Sequence, residues 1–209
     1  MTTIPMLSRF PWIGTNYSLS QVLIVGESHY GSPEQSEDLN LTRNVIQDMI
    51  DGTEDHATLR AIERSFTGNF HCTPDTFWET VAFINFCPGI VDASFAGRRS
   101  ATRSMIKAGI QQFPDILLNL NPLPKKIVFF SKFSWEATET CVGLPYEPLL
   151  PVTINGISVD CGLFRSDEGV SFEAINVGHP SGPFLRGFSR KHQFIQEFLK
   201  KPSRSIGSV

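Results

Sequence analysis

Four short apolar runs punctuate the chain: Gln21–Val25 (QVLIV), a stretch near Val81–Asn85, Lys126–Phe130 (KIVFF), and the segment carrying Phe172, Ala174, Ile175 and Val177. Continuous β-branched and aromatic runs of this length have the form of strands buried on both faces. Between them the period becomes helical. Leu41, Val45, Ile46, Met49 and Ile50 share one face with Gly52 as the stop, and Leu59, Ile62 and Phe66 mark a second helix. Thr73-Pro74 opens a short one, and Ser100–Gln112 and Pro114–Leu120 read as segments split at Pro114. Ser134 is the expected cap of a helix through Cys141, and Ser189 of a last helix through Phe194, Ile195, Phe198 and Leu199.

Strands alternating with helices predict an α/β protein, a three-layer α/β/α sandwich around a four-stranded parallel sheet. Between Pro151 and Asp160 the idiom changes. Val152-Thr153-Ile154, Asn155-Gly156 and Ile157-Ser158-Val159 form a two-residue hairpin with type I′ turn chemistry, expected as an inserted β-ribbon near 151–160. Residues 1–20 lack a clear period and are expected as an irregular arm, and 202–209 as a loose tail of one domain spanning 1–209.

Composition changes this picture little. The chain has 209 residues, 41% hydrophobic and 19% charged, which are ordinary globular values. No apolar run approaches the roughly 18 residues of a membrane span, and the N-terminus lacks a signal-peptide core, so a cytoplasmic protein without membrane contact is expected. Cys72, Cys87, Cys141 and Cys161 form no C-x-x-C pair and read as reduced buried thiols rather than a metal or iron–sulfur site. A net charge of −3 argues against coating nucleic acid by bulk charge. The charge is segregated, however: Arg98, Arg99, Arg103 and Lys107 form one basic cluster, Arg186, Arg190, Lys191, Lys200 and Lys201 another.

If the sheet is parallel, the loops after Val25 (GESHYGSP), after Asn85 (FCPG) and after Val177 (GHPSGP) open on one edge, where α/β proteins bind ligands. That edge would gather Glu27, Ser28, His29, Tyr30, Asn85 and His179. Each has an ordinary alternative: Glu27 as a solvated loop acid, Asn85 as a strand-end cap, Phe70 as plain core, and the His179 loop as a strand-to-helix turn.

The ordered set GESHYG, FINFCPG, KIVFFSKFSWEA and VGHPSGPFLRGF resembles the uracil-DNA glycosylase superfamily over most of the chain, from Gln21 to Leu199. His179-Pro180-Ser181 matches its HPS motif, and Arg186-Gly187-Phe188 follows as in the family. The resemblance implies a monofunctional enzyme that flips uracil, or a related deaminated base, out of DNA and hydrolyses its N-glycosidic bond. It implies no metal or organic cofactor, a uracil-containing DNA partner and a monomer. His179 would hydrogen-bond the uracil O2 as charge builds on the leaving base, and Asn85 would read the uracil edge. Gly26 belongs to the same binding loop, Tyr30 matches the residue that crowds out a thymine methyl, and Phe70 a base-stacking aromatic. Ser181, Gly182, Pro183, Phe184, Leu185, Arg186, Arg190 and Lys191 would contact DNA, with Pro183, Phe184 or Leu185 as the wedge.

The departures are Ser28, where the family has aspartate or asparagine to position water, His29 in place of proline, Gly31 in place of histidine, and Gly182 in place of the second proline. A serine holds a water but is no general base at neutral pH. Glu27 occupies the second loop position, where the GEAPG branch of the family also has glutamate, and the resemblance thereby nominates it as the activating carboxylate. Two other readings stand beside this one. The first is a binding module that keeps the pocket without catalysis; the second is a serine hydrolase with Ser28 on a nucleophile elbow and His179 as base, against which Tyr30 replaces the required glycine.

Overall fold

The computed structural model of the protein describes residues 9–68, 74–92, 101–182, 185 and 187–202. Phe70, Cys72, Arg98, Arg99, Pro183, Phe184 and Arg186 lie outside the described residues, as does the tail from 203 onward. Among the described residues the strands are β1 (Trp12–Ile13), β2 (Val22–Gly31), β3 (Ala82–Asp92), β4 (Lys126–Phe129), β5 (Tyr146–Ile154), β6 (Ile157–Arg165) and β7 (Ser171–Asn176). The helices are α1 (Tyr17–Ser20), α2 (Leu41–Ile50), α3 (Ala57–Thr67), α4 (Pro74–Trp78), α5 (Arg103–Leu118), α6 (Lys132–Thr138) and α7 (Phe188–Lys200).

The protein is α/β, with one mixed seven-stranded sheet in the order β1-β3-β2-β4-β7-β6-β5. The expectation of a four-stranded parallel sheet is corrected: β3, β2, β4 and β7 are mutually parallel, but antiparallel strands extend the sheet on both sides. On one side β1 recruits part of the supposedly irregular arm, and Tyr17 of α1 is buried behind it. On the other side the hairpin is not an inserted ribbon. Its strands run from Tyr146 to Arg165, and β6 pairs with β7 from Ser171 to Ile175. Val152, Val159 and Cys161 enter the main core, which is why the ribbon cannot stand apart. Pro148 and Pro151 on the outer strand β5 lack N–H groups that an edge would otherwise offer to another chain.

Alternation along the strands builds two cores. Val22 and Ile24 of β2 join Ile46, Ile62, Trp78 and Phe194 from α2, α3, α4 and α7. Leu23 and Val25 join Phe113, Leu117 and Trp135 from α5 and α6. Leu23, Ile24 and Val25 are fully buried, each removal from water stabilising by about 1.5–3 kcal/mol. Helix α5 passes through Pro114 instead of splitting there, because Phe113 and Leu117 on either side are packed in the core and hold the ladder across the missing bond. Helix α6 begins at Lys132 with Ser131, not Ser134, as its cap, and α7 begins at Phe188 after Gly187, with Ser189 already inside it.

The correction that matters most for the site is strand length. GESHYG is not a loop: β2 continues to Gly31, pairing Ser28 with Cys87, His29 with Ile90 and Tyr30 with Val91 of β3. Pro88 and Gly89, expected as a loop, are accommodated by a register shift between Ser28 and His29, a bulge where proline has no N–H to give.

Candidate active site

Strand pairing sets the first element. Gly26 lies opposite Asn85 in the β2–β3 register, and a Cβ on Gly26 would fall 2.2 Å from Asn85 Oδ1. The carboxamide therefore lies over the glycine backbone, a position that requires residue 26 to have no side chain. Phe83, two residues before Asn85, shares that face. Together with Ser28, Phe130, His179 and residues of α2 and α3, they line a cavity of about 220 Å³ at the carboxyl edge of the parallel strands. That is below the roughly 300–1,000 Å³ of drug-sized pockets, the scale of a single small ring system.

Ser28 is buried, at 8% exposure, and its Oγ has no hydrogen-bond partner among the described residues. A buried orphan hydroxyl costs stability unless something in the cavity satisfies it. Ser28 sits inside a strand instead of on a strand-to-helix turn, and no base reaches its Oγ. The nucleophile-elbow geometry is therefore absent.

Glu27, between Gly26 and Ser28, alternates to the α6 side while still bordering the cavity. Its Oε2 accepts a hydrogen bond from Ser131 Oγ at 2.9 Å, and Ser131 Oγ in turn accepts from the Ser134 amide at 3.1 Å. Ser134 Oγ donates to the Gly26 carbonyl at 3.0 Å. Two serines of α6 thus tie down the Gly26–Glu27 segment. Sequence reasoning missed Ser131; the signal was the S-x-x-S pattern at a strand-to-helix junction, read there with the cap on the wrong serine.

His29 turns to α2, its Nε2 2.9 Å from Thr42 Oγ1. Burial, helped by the Arg9 cation, pushes its pKa down to about 3, so the ring is a neutral wall group. Tyr30 is 55% exposed and contributes to the cavity's outer wall. His56, unremarked in the sequence, also lines the cavity, with Nε2 3.3 Å from Glu54 Oε2.

His179 follows β7. Asn176 Oδ1 accepts from the Gly178 amide at 3.1 Å, Gly178 has φ +70°, and the Gly182 amide donates to the His179 carbonyl at 3.0 Å. The turn so formed brings the Ser181 amide to His179 Nδ1 at 3.2 Å, with Ser181 Oγ 3.0 Å from the same nitrogen. A backbone N–H can only donate, so Nδ1 is an acceptor and the neutral ring carries its proton on Nε2. The half-buried imidazole thus stands at the cavity wall in a fixed tautomer.

The expected DNA face is partly dismantled. Leu185 is not a wedge: it is 3% exposed, packed in the core, with φ +50°. Lys191 is not a surface cation. It is fully buried, and its Nζ donates to the carbonyl of Leu185, itself a core residue, at 2.9 Å. Desolvation lowers its pKa to about 8. Arg190 remains exposed beside the segment, as does Ser181, while Gly182 is half-buried. Lys200 lies ten residues further along α7, roughly 15 Å along the axis, so it does not share a patch with Arg190.

Among the described residues no three His, Cys, Asp or Glu side chains converge as metal ligands. Cys87, Cys141 and Cys161 are free and buried, and burial pushes the Cys87 and Cys141 thiols up to about 12. No helix among the described residues is long and apolar enough to cross a membrane. Comparison of the chain with protein-family models, with curated proteins and with solved structures found no match.

Proposed function

We propose that the chain is a monofunctional DNA glycosylase of the uracil-DNA glycosylase type, acting on uracil or a related deaminated base flipped from DNA. The observation that carries this reading is the His179 turn. Its Nδ1 accepts from the Ser181 amide, which leaves the proton of the neutral ring on Nε2, and the residue lines the cavity that also holds Asn85 above Gly26. Further support comes from the parallel core β3-β2-β4-β7, which carries the four motifs in family order with their ends on one edge.

In this mechanism Asn85 reads the base edge and Ser28 Oγ completes a hydrogen bond to the base or to water. Glu27 takes a proton from the attacking water as its oxygen bonds C1′ and the C1′–N bond breaks. The electron pair leaves with the base, whose carbonyl oxygen accepts from His179 Nε2–H, a contact of the kind that lowers barriers by about 2.7–4 kcal/mol. Exposed Arg190 suits a flanking phosphate. The chemistry calls for no cofactor.

The test is alkali-revealed cleavage of a labelled oligonucleotide carrying one uracil, single-stranded and opposite G or A. Wild type should cleave, and Glu27→Gln should lose about 10²- to 10⁴-fold, the usual worth of a general base. The orphan Ser28 hydroxyl, standing where a carboxylate or carboxamide would be stronger, favours one second reading: a module that binds uracil-containing or abasic DNA without releasing the base. A gel shift with no cleavage by folded wild-type protein would select it.

A further inference from the structure

We propose that Ser131 is a positioning residue that aims Glu27 at the attacking water; the inference rests on the glycosylase reading above. Ser131 is 1% exposed and belongs to the rigid junction between β4 and α6. A hydroxyl has one proton to give. Its oxygen already accepts from the Ser134 amide at 3.1 Å, so the proton is directed to Glu27 Oε2 at 2.9 Å. Glutamate has three side-chain torsions, and an untethered carboxylate at a cavity border must be ordered during the reaction itself. Ser131 removes that freedom beforehand, from a residue 104 positions away in the chain. The partner serine strengthens the arrangement: Ser134 Oγ holds the Gly26 carbonyl at 3.0 Å, so the backbone from which Glu27 projects is fastened to the same helix turn. With a serine in place of the family carboxylate at position 28, the water-activating group sits one residue earlier and needs its own support.

The experiment is single-turnover base release from the uracil oligonucleotide by wild type, Ser131→Ala, Glu27→Gln and the double variant. Loss of a hydrogen bond to a charged group predicts a fall on the order of tenfold to a hundredfold for Ser131→Ala. In the Glu27→Gln background the same change should cost less than about threefold, since coupled residues are not additive. In the wild-type background Ser131→Thr, which keeps the hydroxyl, should restore most of the rate. Ser131→Asp, which caps a helix well but has no proton to donate at neutral pH, should not. Equal losses in both backgrounds, or rescue by Asp, would assign Ser131 to helix capping alone and overturn the inference. Should the Glu27→Gln rate be too slow to follow, the Ala, Thr and Asp series decides by itself. An active wild type with an unimpaired Ser131→Ala sinks this inference only, whereas a wild type that releases no base removes the glycosylase reading with it.

Discussion

Acid should destabilise this protein through one buried ring. His29 is 7% exposed, bonded to Thr42, and held neutral with a pKa near 3, against about 6.5 in the unfolded chain. Between those values the unfolded state binds a proton that the folded state does not, so stability rises with pH through this window and falls as pH drops below 6.5. Carrying the protein from pH 7.5 to pH 5 should remove about 2 kcal/mol through His29 alone, and descent to pH 3 about 4 kcal/mol. Other groups titrate over the same range, so the measurement is a difference. Urea unfolding, followed by tryptophan fluorescence, is run on wild type and His29→Gln at both pH values. Glutamine reaches Thr42 and does not titrate. The stability gap between the two proteins should shift by about 2 kcal/mol in favour of the variant at pH 5. A gap that stays constant within a few tenths of a kcal/mol would mean that His29 takes up its proton as readily folded as unfolded, and the neutral-wall description would be wrong.

Lys191 gives the complementary signature at the alkaline end. Its folded pKa near 8 lies below the ordinary 10.5, so burying the ammonium costs stability below pH 8, and that cost is relieved as pH rises toward 10.5. Relative to Lys191→Met, wild type should gain about 2.5 kcal/mol between pH 7 and pH 10, read by urea titration; a pH-independent difference would return Lys191 to the surface. Gly26→Ala places its Cβ against the movable end of Asn85, not against backbone, so the protein should fold with a similar melting temperature. Displacing the carboxamide should nonetheless slow base release about tenfold to a hundredfold, as expected for about 1–3 kcal/mol of lost base hydrogen bonding. Undiminished release by this variant would remove Asn85 from base reading.

What the sequence determined by itself was whatever depends on near neighbours. The runs at Leu23–Val25 and Ile127–Phe129 are strands because unbroken apolar residues demand burial on both faces, and α2 spans Leu41–Ile50 because its apolar spacing follows the helical turn. The gathering of Gly26, Glu27, Ser28, Asn85 and His179 at one edge was legible too, since parallel strands carry their ends to the same side. What only the tertiary structure decided involves partners distant in the chain. Glycine and proline signals stopped β2 at Val25 and β3 at Asn85 on paper, yet each strand pairs with the other beyond those points, and a ladder of hydrogen bonds outweighs local turn preference. The hairpin looked self-sufficient because its turn is local, but its place beside β7 is a matter of packing. Lys191 carries the charge of a surface residue and is buried with its ammonium on the Leu185 carbonyl, a contact that neither residue's neighbours announce. Serine 131 and glutamate 27 had nothing in common until β4 was laid next to β2, and a hydrogen bond between groups 104 residues apart leaves no trace in the spacing of either.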